Sequence, residues 1–259
     1  MNSVTALKRG IGAELYKFRR TFILWFLLLA PAFVPFINLM IFVKKGHELL
    51  GPDENPWERL VQLSIEPGNF LFTFFVMIVA LFVSSIEHNS NTWKLIYTQP
   101  LSRLVVYTSK VVVFALMLLF SLLLFSVFTV LVGLLLKVMM PDLGFDQAFG
   151  IGLFFQLAIK IFLTTLGYAS LQFWMSQRWK NLLLPLGIGI GGWISFLILS
   201  QGWKYVEYHP YGFPMLGLGN YQDPAYEWLS ELKFVYRSVG LAAVVFVLAG
   251  LDMVRKRVV

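Results

Sequence analysis

The sequence contains no cysteine. That excludes a disulfide framework, a thiolate nucleophile and any Cys-ligated metal or iron–sulfur site. Charge is also scarce. Only 14% of the 259 residues are Asp, Glu, Lys or Arg, against about 25% in a soluble domain. Histidine occurs three times, at His47, His88 and His209, and no two form a ligand pair such as HExxH, so no metal is expected. The chain has no GxxxxGK[ST] stretch, and hence no Walker A loop to cradle ATP phosphates. If ATP powers this protein, the ATPase is a separate polypeptide and this chain itself carries no cofactor. No Ser–Lys or Ser–His pair and no paired carboxylates stand out for hydrolysis, so neither an enzyme activity nor a catalytic residue is expected.

What the sequence does have is apolar content: 58% hydrophobic residues and a mean hydropathy of +0.73. The excess collects in nearly uncharged blocks, the signature of membrane-spanning helices. Six spans are expected, at about 21–43, 68–86, 104–136, 151–176, 182–201 and 235–251. The fold class is therefore an all-α polytopic membrane protein, read as one domain over 1–259. It consists of an N-terminal amphipathic interfacial helix at 1–20, the six spans within 21–251, and a tail at 252–259. The third apolar run is too long for one upright span, so its first turns, around Tyr107 and Lys110, are expected in the interface. The first run exceeds a signal-peptide core and lacks a small-residue cleavage site, so it is expected to be retained.

An even number of spans puts both termini on one side. That side carries 13 basic residues and three acids (Glu14, Glu87, Asp252), while the other carries seven bases and 11 acids. By the positive-inside rule both termini are cytoplasmic. The net charge of +7 sits beside spans, which argues against nucleic-acid binding and for contact with membrane lipid. Within residues 2–20, Val4, Leu7, Ile11, Leu15 and Phe18 recur at helical spacing and form one apolar stripe, although Gly10 and Gly12 weaken the helix.

The loop from Glu87 to Arg103 is the most informative stretch. Asn and Ser residues offer an N-cap and Pro100 a stop. Between them Trp93, Ile96 and Tyr97 share one helical face, with Lys94 beside it. A tight connection between two spans needs no such face; one that presses into another protein does. The outer loop 202–234 is rich in aromatics, with Asp223–Pro224 as a start signal for a short helix over 224–233. In span five, Gly187 and Gly191 form GxxxG, expected to let helices pack closely within or between subunits. Lys160 is an intramembrane charge with three readings: a functional group, a side chain that snorkels to the outer interface, or a partner of a neighbouring polar group such as Gln156.

This layout resembles the ABC-2 type permeases, the membrane subunits of ABC exporters with the ABCG-like fold. The carriers of the resemblance are the N-terminal helix ending Lys17-Phe18-Arg19-Arg20, the six spans, and the loop from Glu87 through Asn91-Thr92-Trp93-Lys94 to Gln99-Pro100-Leu101-Ser102-Arg103, then Tyr107 and Lys110. The loop looks most like the bacterial lantibiotic-immunity and peptide-export kind. The resemblance implies that 87–101 holds a coupling helix docking into an ABC ATPase subunit, with Glu87, Trp93, Lys94, Ile96, Tyr97, Pro100 and Arg103 at the contact. It implies a second, smaller cytoplasmic contact at Arg178 and Lys180, and an outer re-entrant pair within 202–234. It also implies two permeases per transporter, the second being another copy or a paralogue. The implied location is a bacterial cytoplasmic membrane, multi-pass. The spans fit export of an amphipathic peptide or other hydrophobic compound. The alternative is a protein that works without ATP, either a secondary transporter or a membrane scaffold. The near-absence of acids in the spans and the lack of repeated halves count against it.

Overall fold

A computed structural model describes residues 3–19, 21–51, 54–89, 102–147, 150–223, 226–227, 229 and 231–255. Among them are eight α-helices and no strand: α1 (Ser3–Phe18), α2 (Phe22–Leu49), α3 (Pro56–Asn89), α4 (Arg103–Met139), α5 (Ile151–Arg178), α6 (Leu183–Leu199), α7 (Phe213–Leu218) and α8 (Leu232–Arg255). Five of these, α2, α3, α4, α5 and α8, are long and apolar enough to cross a bilayer. The expected fifth span is the 17-residue α6, about 25 Å long. Large apolar side chains such as Trp25, Phe33, Phe36, Val244 and Leu248 face outward. In water such a surface would be untenable; in lipid it is the ordinary solvent-facing side.

α5 is the hub of the bundle, packing against α3, α4, α6, α7 and α8. Its tightest contact is with α8, where Ser238 Oγ takes the place of a backbone partner. The Gly167 amide donates to Ser238 Oγ at 2.8 Å, and that hydroxyl donates to the Thr164 carbonyl at 2.8 Å. On α4, Gly133 has the same role by size alone: a Cβ there would overlap the Trp57 ring. Trp57 is buried and donates through Nε1 to the Phe145 carbonyl at 3.1 Å, closing the end where α3 begins and α4 stops.

Several boundaries differ from the expected ones. α3 begins at Pro56 and not near residue 68, running through Pro67. A proline has no N–H for the carbonyl four residues back, here Leu63. Asn38 of α2 supplies the missing donor at 3.2 Å and also donates to Ser64 Oγ at 2.9 Å, so the helix survives its proline. The expected helix over 224–233 does not form: Tyr226, Glu227, Leu229 and Glu231 are not helical, and α8 starts at Leu232. Tyr107 and Lys110 are buried within the bundle, and the Tyr107 hydroxyl donates to the Phe246 carbonyl of α8 at 2.9 Å. The buried face of α1 is Ala6, Gly10, Glu14 and Phe18, whereas Val4 and Leu15 point outward.

In α6, no neighbouring group among the described residues lies within 4 Å of a Cβ at Gly187 or Gly191. The within-chain packing expected of that pair belongs instead to Gly189, which faces Gln172, and to Gly192, which faces the Tyr211 ring. The GxxxG spacing is genuine, but it lies on the outer face of the helix. Accordingly, Gly133→Ala should lower thermal stability in detergent by about 1–3 kcal/mol, the usual range for overpacking, and Gly187→Ala should leave the melting temperature unchanged.

Candidate functional site

The α1 end of the bundle brings together groups that are far apart in sequence. Gly10 lets α1 approach α4 so closely that a Cβ would collide with Ser109 Oγ. One turn further on, Glu14 reaches into the bundle. Its carboxylate accepts from Lys110 Nζ at 3.1 Å and from Lys17 Nζ at 2.6 Å. Lys110 is 1% exposed. An ammonium at that depth is tolerated only with a hydrogen-bonded counter-charge, and Glu14 provides it. The pair fixes α1 onto the first turns of α4.

α4 itself starts cleanly. Ser102 is extended and its side chain accepts from the Val105 amide at 3.3 Å, an N-cap of the usual kind. Arg103 follows, half-buried. Across the same end, Arg178 of α5 pairs with Asp252 of α8 at 3.4 Å, and Lys180 is exposed in the short loop before α6. Glu14, Lys110, Arg103 and Arg178 are thus gathered at one end. Glu87 falls near the C-terminal end of α3. Its side chain and Trp93, Lys94, Ile96, Tyr97 and Pro100 lie outside the described residues.

At the opposite end, Lys160 is wholly buried. It donates to the Tyr226 hydroxyl at 2.7 Å and sits 5.0 Å from the centre of that ring. It thus pairs with a tyrosine of the loop between α6 and α8 and not with Gln156, which is exposed. That loop is tied down elsewhere as well. Arg237 of α8 donates to the Glu207 carbonyl at 2.9 Å and pairs with its carboxylate at 3.3 Å. Those contacts hold the Glu207 carboxyl below its ordinary range, first through the hydrogen bond from Arg237. Gln222 donates to Glu66 at 2.9 Å.

The structure also places Ser195 Oγ 3.0 Å from His209 Nε2, a pairing that sequence spacing did not suggest. The geometry argues against a nucleophile and base. Ser195 has one proton and donates it to the Gly192 carbonyl at 2.7 Å. The imidazole must then donate through Nε2–H, which leaves no bare Nε2 to act as base. Nδ1 is buried without a partner among the described residues. Burial holds the His209 pKa below its ordinary value. The contact is a strap between α6 and the loop that follows it.

The long apolar helices with their outward-facing apolar side chains make this an all-α polytopic membrane protein. The family comparison agrees: residues 11–195 match the family described as ABC-2 family transporter protein. The chain belongs to the ABC-2 transporter family and is a membrane permease of an ABC transporter, a class that works with an ABC ATPase. Among curated proteins none matches this chain, and among solved structures none does.

Two outcomes follow from this geometry. Glu14→Gln removes the charge that both lysines share and should cost about 3 kcal/mol in unfolding experiments on the full chain. Replacing the pair with Glu14→Leu and Lys110→Met should recover most of that loss, because an apolar pair of similar volume needs no desolvation. At the end opposite α1, the free His209 side chain takes a proton near pH 6.5 and the docked one only at lower pH. Between those values the undocked loop binds more protons. Docking is thus at full strength above about pH 6.5 and weakens as pH falls through that window. Amide exchange in peptides covering 203–213 should be faster at pH 5.5 than at pH 7.5 after correction for intrinsic rates. His209→Gln should abolish the difference.

Proposed function

We propose that this permease is the membrane half of an ATP-driven exporter in a bacterial cytoplasmic membrane. A separate ATPase subunit docks on the 87–101 segment and holds the ATP. Both termini are cytoplasmic, and the chain works as one of two permeases, the other being a second copy or a paralogue. Its cargo is an amphipathic peptide or another hydrophobic compound. The chain carries no catalytic residue, metal or cofactor of its own, and it contacts membrane lipid but not nucleic acid.

The observation that carries this reading is where the 87–101 segment leads. It runs directly into Ser102 and α4, the helix that Glu14 and Gly10 lock to α1. A push on that segment therefore acts on a rigid α1–α4 unit and not on a slack loop. Further support comes from the family match, which spans the segment, and from the basic residues clustered on the same side of the sequence. Arg178 and Lys180 supply the smaller second contact. The aromatic–apolar face of Trp93, Ile96 and Tyr97 fills a groove on the ATPase, with Glu87, Lys94 and Arg103 at its rim and Pro100 ending the helix. Trp and Tyr are the residues that most often dominate such interfaces.

Trp93→Ala should weaken ATPase binding by about 2 kcal/mol, roughly 30-fold, and should leave membrane insertion intact. The measurement is copurification of the ATPase together with permease-stimulated ATP hydrolysis. If Trp93→Ala and Tyr97→Ala change neither, the coupling assignment fails and ATP-independent transport becomes the better reading.

A further inference from the structure

The outward side of α1 carries positive charge alone. The only acid in the helix is Glu14, and it is turned into the bundle, where Lys17 and Lys110 share it. At about 100° per residue, Ile11, Val4 and Leu15 fall within about 40° of one another, and Lys8 stands next to Leu15 on the side further from the bundle. Arg19 extends that row, because its amide still donates to the Tyr16 carbonyl at 3.2 Å and carries the turn past the helix end. Lys8 and Arg19 are both exposed, and neither has an acidic partner among the described residues. Eleven positions apart, they lie about 17 Å from each other along the helix. The apolar strip beside them is open as well: Val4 is 60% exposed and Leu15 48%.

The helix cannot roll to hide this face. Gly10 against Ser109 and Glu14 against Lys110 fix its rotation on α4. Its depth is set too. Phe18 belongs to the same buried core as Ile23 and Leu27 of α2, so α1 ends level with the start of an apolar span. Phe22 and Trp25, in the first turns of that span, point outward, as aromatic side chains do at a membrane surface. An apolar strip at this level, edged by cations on one side, fits the boundary between acyl chains and headgroups. We infer that this face of α1 binds acidic phospholipid. The phosphate oxygens accept from Lys8 Nζ and from the Arg19 guanidinium, and an acyl chain lies along Val4, Ile11 and Leu15. A zwitterionic lipid carries its own ammonium next to the phosphate, which offsets the attraction; an acidic one does not. The face lies within one chain and needs no statement of which side of the membrane α1 occupies, so it does not rest on the ATPase-coupled reading.

The test titrates the full chain in detergent with phosphatidylglycerol or with phosphatidylcholine of the same acyl chains, and counts bound lipid by native mass spectrometry. The wild-type chain should bind phosphatidylglycerol at least tenfold more tightly. Lys8→Gln and Arg19→Gln should each lower that affinity about fivefold, the effect of one basic residue beside an anionic surface, and leave phosphatidylcholine binding unchanged. Lys8→Arg should keep it. Leu15→Gln should weaken both lipids, and Lys204→Gln at the opposite end should weaken neither. Glycerol 3-phosphate at millimolar concentration should not compete; if it does, the row is a site for a soluble anion and the lipid assignment falls. Equal affinity of the wild-type chain for the two lipids also overturns the inference, as does a phosphatidylglycerol preference that survives in the Lys8→Gln, Arg19→Gln double variant. The wild-type comparison needs no variant, so a misfolded mutant cannot mask the answer.

Discussion

Helices in lipid gain nothing by burying an apolar face against one another, because the acyl chains are as apolar as leucine. Association must come from close backbone approach and from polar groups that lipid cannot satisfy. The bundle is organised around that constraint. Gly10 meets Ser109, Gly133 meets Trp57, and Gly217 meets Thr164. Asn38 repairs the carbonyl that Pro67 leaves open. Ser238 ties α8 to α5 at a glycine. The phenylalanines that fill the space between these points, Phe72, Phe75, Phe114 and Phe173, supply shape more than specificity.

The same constraint governs what could be read from the sequence. Hydropathy reveals spans because lipid demands uncharged runs, and α2, α4 and α5 follow it closely. It fails where a helix continues out of the apolar run. The first turns of α3 contain Glu58, Arg59, Gln62 and Glu66 and end at Pro67, a composition that suggests a loop. Only the contact from Asn38 reveals otherwise, and that contact joins residues 25 apart. The pairing of Glu14 with Lys110 and of Lys160 with Tyr226 was hidden for the same reason: their separations are 96 and 66 residues. A spacing rule sees a lone charge and cannot see what it meets. For Gly187 and Gly191 the reverse holds. The motif was visible, but a face can be assigned only when the neighbours are in place.

The two ends of the molecule handle charge differently. At the α1 end an ion pair is buried and shared among three side chains. At the other end the Lys137–Asp146 pair is largely exposed, and the deeply buried Lys160 donates to the Tyr226 phenol. Buried pairs are strongly resistant to salt, and exposed ones are screened within a Debye length. The contact of α1 with α4 is therefore insensitive to salt, whereas the exposed pairs Arg178–Asp252 and Lys137–Asp146, one at each end, are screened by it.

α4 runs for 37 residues without a proline, about 55 Å as a continuous rod. The point where Glu14 holds it, at Lys110, lies about 10 Å from its first residue and about 44 Å from its last. The same helix is gripped near its other end, where Gly133 lies against the Trp57 ring and Lys137 pairs with Asp146. A rod held at both ends carries a force applied at Ser102 along its axis to the Trp57 and Phe145 cluster and leaves little of it to be lost in bending.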